Sequence, residues 1–387
     1  MPPKNRKRKK YILTFAYRRF MVKKRSSKSA GRRFAQRFAG CFLSRTMRTF
    51  SKVGNAMAAT IIDVARMCGY SKATVSRAYA SPEAVSEKAR EKIYAAAKQL
   101  NYAPNAIARA MVRQRTENIA FIIHEKQYPA ILNPFYSPLL EAAMQEGTRR
   151  NYSLFVTTSQ DMRLPNGDLY IKKHMDGVIF AGEADARTIE EFRKQNIPVV
   201  LVNNRLDLDG LLCVSADHYG GAVQATAHLC ERGHRKIGLL AGRFSPQVSE
   251  ARAEGFFKTL AQYDVPVDTR FIADIEPTLE AGEEAMTRLL REPDHPTAFF
   301  CTNDTIAAGA MKAVFRAGLK IPKDIAIVGF DDSYISRVVA PELTTVKIDV
   351  DLMGRLAAQR LFDLIDGNEV TENQIEIPTE LIVRETT

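Results

Sequence analysis

Residues 60–77 read T-I-I-D-V-A-R-M-C-G-Y-S-K-A-T-V-S-R, and this stretch decides how the chain begins to fold. Thr60 and Asp63 have the spacing of a helix N-cap followed by an acidic first-turn residue, two groups that satisfy each other's backbone N–H. Ile61, Val64, Ala65 and Cys68 then recur at i, i+3, i+4 and i+7, which gives a short helix with one apolar face. Gly69 supplies a residue that tolerates positive φ, and Ser71 a second N-cap, so a three-residue turn leads into another helix. Helix, tight turn, helix is the outline of a helix-turn-helix.

In the second helix Val75 and Ala78 fall on the inward face, which leaves Lys72, Ala73, Thr74, Ser76 and Arg77 outward. These side chains suit base edges. Arg77 offers a bidentate fork for guanine, while Ala73 and the Thr74 methyl suit the thymine methyl. The cap residues Thr60 and Ser71 are grouped with them as DNA-facing. On spacing alone, an ordinary solvated helix face reads the same. Downstream, Pro82 breaks the chain and Ser86 is placed to cap a third helix. That helix has the apolar stripe Ala89, Ile93, Ala96, Ala97 and Leu100. After Asn101-Tyr102-Ala103-Pro104, residues 105–113 form a short basic helix with little core to join.

Charge is distributed unevenly. Of 387 residues, 56 are Lys or Arg and 44 are Asp or Glu, for a formal net charge of +12. Residues 1–56 carry 18 of the cations and no acid, residues 57–115 carry 10 cations and 4 acids, and residues 116–387 carry 28 and 40. A basic head therefore precedes an acidic body, the arrangement of a nucleic-acid binder with a separate second function. Residues 1–56 read as an arm, a transit peptide or translated upstream sequence, with Met57 as the start. The favoured reading is a mis-called start. The five cysteines, Cys41, Cys68, Cys213, Cys230 and Cys301, form no C-x-x-C and indicate reduced thiols and a cytoplasmic setting. No run is long and apolar enough for a membrane helix, because Arg18 and Arg19 interrupt the apolar stretch 11–22.

Beyond residue 116, apolar runs at 118–123, 152–157, 176–181, 198–202, 236–241, 298–301 and 325–330 alternate with helical patterns at 137–150, 219–232, 249–262 and 305–317. This is the rhythm of parallel α/β structure, and the length accommodates two such sheets with a ligand between them. His228, Cys230 and His234 lie close in sequence, but their spacing fits no zinc pattern, and Gly233 reads as a helix C′ residue. Neither G-x-G-x-x-G, G-x-x-x-x-G-K-[ST] nor G-x-S-x-G occurs, so the chain carries no signature of a cofactor, a nucleotide or a nucleophile, and is not read as an enzyme.

Taken together, residues 60–77, V-S-E-K-A-R-E-K-I at 85–93 and Y-A-P-N-A-I-A-R-A-M at 102–111 resemble the lactose-repressor/galactose-repressor family. The resemblance extends through N-P-F-Y-S-P-L-L at 133–140, D-G-V-I-F at 176–180, C-T-N-D at 301–304, I-A-I-V-G-F-D-D at 325–332 and P-E-L-T-T-V at 341–346. It implies an all-α helix-turn-helix DNA-binding domain over 57–104 and a hinge helix and linker over 105–116. Residues 117–387 then form an α/β bilobed periplasmic-binding-protein-like effector and dimerisation domain built of two parallel-sheet, Rossmann-like lobes.

The resemblance further places Asn105, Arg109 and Met111 on operator DNA, with Met111 as a minor-groove wedge. It makes Phe135, Tyr136, Asn203, Arg252, Asn303 and Asp331 effector contacts. Their chemistry agrees with that role: an Arg fork and a carboxylate clamp vicinal hydroxyls, amides donate and accept, and rings cover an apolar sugar face. Pro277 and Val350 stand where relatives place an aromatic against the ligand, which alters the expected cavity wall. The implied partners are double-stranded operator DNA, a second copy of the chain and a small effector. A sugar or sugar phosphate comes first for that effector, a nucleobase or nucleoside second. No leucine heptads follow Leu361, which indicates a dimer. The rival reading from another class is the solute-binding protein of a sugar transport system, which would share the bilobed body but carry no helix-turn-helix.

Overall fold

A computed structural model of the chain describes residues 59–103, 115–124, 130–162, 175–204, 206 and 208–387. The basic extension and the hinge positions Asn105, Arg109 and Met111 lie outside the described residues. The chain divides into two compact units, Met1–Pro104 and Asn105–Thr387.

In the first unit, helices α1 (Ile61–Cys68), α2 (Lys72–Ala80) and α3 (Glu87–Gln99) enclose one small core. Val64, Val75, Ala78, Val85, Ala89, Ile93, Ala96 and Ala97 are its buried members. Each local signal acts as its chemistry requires. Thr60 and Asp63 form a reciprocal capping box, and Gly69 ends α1 at φ +74, a left-handed conformation that glycine adopts without a Cβ clash. Ser71 Oγ then accepts from the Thr74 N–H at 3.0 Å to start α2. Ser86 differs from expectation. It occupies the N-cap of α3, but its hydroxyl makes no capping bond, and the first turn closes on its carbonyl oxygen instead.

The second unit contains two six-stranded sheets. One is built from β1 (Asn118–Ile123), β2 (Ser153–Thr158), β3 (Gly177–Ala181), β4 (Val199–Val202), β5 (Leu212–Ala216) and β11 (Gln374–Ile377), in the order β11-β5-β4-β3-β1-β2. The other holds β6 (Ile237–Gly242), β7 (Ile272–Ile275), β8 (Ala298–Cys301), β9 (Ala326–Asp331), β10 (Thr344–Ile348) and β12 (Thr379–Ile382), in the order β12-β10-β9-β8-β6-β7. Among the described residues every pairing is parallel except β10 with β12. Central strands such as β3, β4, β8 and β9 are buried along their whole length, as expected where helices cover both faces of a sheet.

The helices are α4 (Tyr136–Arg149), α5 (Ala186–Arg193), α6 (His218–Glu231), α7 (Pro246–Gln262), α8 (Leu279–Leu289), α9 (Asp304–Arg316), the single turn α10 (Ile335–Val338) and α11 (Val350–Asp366). The chain passes between the sheets three times, after β5, after β10, and between β11 and β12, where only Pro378 intervenes. Glycine sets how closely two helices lie. A Cβ on Gly309 of α9 would come within 2.1 Å of the Leu279 carbonyl oxygen of α8, so the amino ends of these helices sit side by side.

Candidate nucleic-acid interface and ligand cavity

Helix α2 turns Val75 and Ala78 fully inward, and this orientation leaves Lys72, Ala73 and Arg77 exposed, with Thr74 and Ser76 half-buried. Neither Lys72 nor Arg77 has an ion-pair partner among the described residues, so both charges face solvent. Thr60 and Ser71 are also exposed, but their hydroxyls serve the local fold. Thr60 Oγ1 donates to Asp63 Oδ2 at 2.7 Å, and Ser71 Oγ lies 2.9 Å from Thr74 Oγ1. These two residues therefore fix the turn geometry that presents the outward face of α2.

In the second unit, loops at the carboxyl ends of strands from both sheets converge on a cavity of about 350 Å³. Such ends are where open parallel sheets place ligands, because the crossovers diverge there. All six expected effector residues, Phe135, Tyr136, Asn203, Arg252, Asn303 and Asp331, line this one cavity. Pro277 also lines it. Val350, expected in the wall, instead packs into the apolar core: Asp349 caps α11 by accepting from Leu352 N–H, and this buries the first-turn valine.

Arg252 is the centre of the site and is only 2% exposed. Its Nε donates to His218 Nδ1 at 3.3 Å, its Nη1 to the Thr302 carbonyl oxygen, and its Nη2 to Asp331 Oδ1 at 3.1 Å. The guanidinium also stacks 3.8 Å from the Phe330 ring centroid. Guanidinium has no acceptor, so His218 Nδ1 must be the acceptor and the ring proton resides on Nε2. That nitrogen donates to Asn203 Oδ1 at 2.6 Å. Burial, reinforced by the Arg252 charge, pushes the His218 pKa well below its ordinary value, and the imidazole stays neutral.

Two of these residues have unusual backbones. Asn203, just after β4, has φ +55, and Asp331, ending β9, has φ +107. Left-handed conformations at non-glycine residues are costly and persist only where the surroundings impose them. Here the imposed geometry turns both side chains into the cavity. Burial lifts the Asp331 pKa to about 6, opposed by the Arg252 charge. Behind it, Asp304 is pushed up to about 8 by burial and by the charge of Asp331. Asp304 is tied down by Ser333 N–H at 2.7 Å and by Thr345 Oγ1 at 2.5 Å. Burial likewise pushes the Tyr136 phenol to about 12, so it remains protonated.

Several lining residues carry no sequence expectation: Asn133, Phe244, Thr278, Glu280 and Thr305. Asn133 was within reach of sequence reasoning, since it heads the N-P-F-Y stretch and its Oδ1 accepts from the Phe135 and Tyr136 N–H groups. His218 was not, for nothing in its neighbourhood marks it. The side chains of His228 and His234 take separate partners, Thr387 and Thr297.

A profile described as bacterial regulatory proteins of the lacI family matches residues 60–105, and one described as a periplasmic binding protein-like domain matches residues 226–387. The probable HTH-type transcriptional repressor ExuR of Bacillus subtilis (strain 168) is 32% identical, over 84% of this chain and 97% of its own. The chain belongs to the lacI family of bacterial regulatory proteins. Among solved structures, the lac repressor dimer bound to operator and the anti-inducer ONPF superposes with a TM-score of 0.72 at 26% identity, covering 85% of this chain and 98% of that one. A complex of the transcriptional regulator CelR with cellobiose gives a TM-score of 0.65 at 28% identity, covering 85% and 100%. As a lacI-family member the protein is a DNA-binding regulator of transcription, with a helix-turn-helix head and a two-sheet α/β body. Among the described residues no helix is long and apolar enough to cross a membrane.

Proposed function

We propose that the protein is a dimeric cytoplasmic repressor that reads a pseudo-palindromic operator through Lys72, Ala73, Thr74, Ser76 and Arg77, under the control of a small polar effector bound in the cavity. The observation that carries this reading is the convergence of Phe135, Tyr136, Asn203, Arg252, Asn303 and Asp331, scattered over nearly 200 residues, on one cavity between two sheets. A head with so small a core gains useful specificity when two copies read two half-sites. Effector binding shifts the balance between two lobe arrangements and thereby the affinity for DNA, by the differential affinity of the ligand for the two arrangements. Residues 105–116, with Asn105, Arg109 and Met111, serve as the hinge that joins the two events.

Selection from random DNA with the full chain, followed by anisotropy titration of the enriched site with and without a panel of sugars, tests the proposal. The expected result is a palindrome whose affinity shifts with one sugar class. Recovery of no motif, with only steeply salt-dependent binding, would leave the head an electrostatic anchor and favour solute binding as the main activity. Light scattering at micromolar concentration is expected to give a dimer.

A further inference from the structure

Among the described residues that line the cavity, few carry a charge. Among the described lining residues Arg252 is the single cation, and all three of its nitrogens are engaged, by His218, Thr302 and Asp331. It is held in place by the protein and keeps no open fork for a ligand oxyanion.

Helix amino termini are the other ordinary source of anion affinity, since their first N–H groups and dipoles point at the ligand. Three of them border this cavity, at α4, α8 and α9. Each is closed by its own side chain: Asn133 accepts from Phe135 and Tyr136, Thr278 from Ala281 at 3.2 Å, and Asn303 from Ile306 at 2.8 Å. Part of each of these first turns is thus already satisfied by the protein.

Acids, by contrast, are present. Glu276 and Glu280 line the cavity and are exposed, and Asp331 has one carboxylate oxygen not taken by Arg252. Glu276 accepts from Arg243 at 3.0 Å, but Arg243 also serves Asp274, so that cluster of three keeps a net negative charge. Burial raises the pKa of Asp331, and burial together with the Asp331 charge raises that of Asp304.

We propose that this cavity selects an effector without negative charge, a neutral or ammonium-bearing polyol, and rejects phosphorylated and carboxylated sugars through Glu276 and Glu280 at its rim. The inference rests on the reading of the cavity as the effector site. It removes sugar phosphates from the expected effectors and assigns a specificity role to two residues outside the contact set. A phosphate or uronate entering here would lose its hydration, find the one cation among the described lining residues already engaged, and face the carboxylates of Glu276 and Glu280.

The test is calorimetric titration of the full chain with glucose, galactose and mannose, each as the free sugar, the 2-amino-2-deoxy sugar, the 6-phosphate and the uronic acid. For a scaffold that binds, the free or amino form is expected to bind about ten-fold or more tightly than either anionic form at low salt, with the gap shrinking as salt screens the exposed carboxylates. Glu280→Gln, and more so Glu276→Gln combined with Glu280→Gln, is expected to narrow that gap, with thermal melts to show that the variants fold. An anionic form binding more tightly than its neutral parent would overturn the inference while leaving the effector cavity in place. Binding that survives Phe135→Ala unchanged would instead count against the cavity as the effector site. Absence of heat with every probe would overturn the assignment of a polyol.

Discussion

The head and the body use polar side chains in opposite ways. In the head the charged residues of interest, Lys72 and Arg77, stand exposed on a helix whose shape is fixed by apolar residues one turn away. In the body Arg252 is buried, stacked on Phe330 and bonded to residues 34, 50 and 79 positions away. An exposed contact face separates stability from recognition, whereas a buried polar network joins them.

Arg252→Ala tests that joining most severely. It would leave the Asp331 carboxylate buried without its partner, and removing one member of a buried pair costs about 3–5 kcal/mol. Urea unfolding of the body is expected to shift by that amount, with loss of effector binding. An unchanged midpoint would mean that the network contributes nothing to the fold.

Next in size is a pH effect. Because the folded chain holds the Asp304 proton up to about pH 8 while the unfolded chain releases it near 3.8, this group makes stability fall as pH rises across that window. Asp304→Asn is expected to flatten the decline in melting temperature between pH 5 and 8. A slope identical to that of the parent chain would contradict the raised value.

The head should behave otherwise. Arg77→Ala is expected to weaken specific operator binding by about 1–3 kcal/mol and to relax the preference at one base pair, without moving the melting temperature. A matching loss of stability would show that the separation drawn between the two regions is wrong. The smallest effect belongs to Thr60→Ala, which removes one side of the capping box and should cost the head about 1 kcal/mol. Its DNA affinity should fall only as far as the head unfolds, which anisotropy at two temperatures would separate from loss of a direct contact.

The same contrast explains what was legible in the sequence. Helix starts and stops in the head are set by residues three or four apart, so Thr60, Gly69 and Ser71 announced their roles directly. In the body the long apolar runs identified β1 and β8 to the residue and several others to within one position. Short strands such as β7, with Ile-Ala-Asp-Ile, carry too few residues to display a period. The return of α11 and β11 to the first sheet depends on packing partners more than 150 residues away. His218 was invisible for a related reason: its function lies in a neutral ring wedged between Arg252 and Asn203, an arrangement that no local pattern encodes. Ser86 and Val350 went the other way: each occupies its expected place in the chain, but the Ser86 hydroxyl makes no capping bond and Val350 packs into the core.

The three passages of the chain between the two sheets bear on how the protein is made. Residues 374–382 supply an edge strand to each sheet, one residue apart, so neither lobe can complete its sheet while that segment is still inside the ribosome. A head of three short helices with local contacts can fold as soon as it emerges, long before the body can hold a ligand. During synthesis the nascent chain therefore passes through a period in which it has a DNA-reading surface but no finished means of being told when to let go.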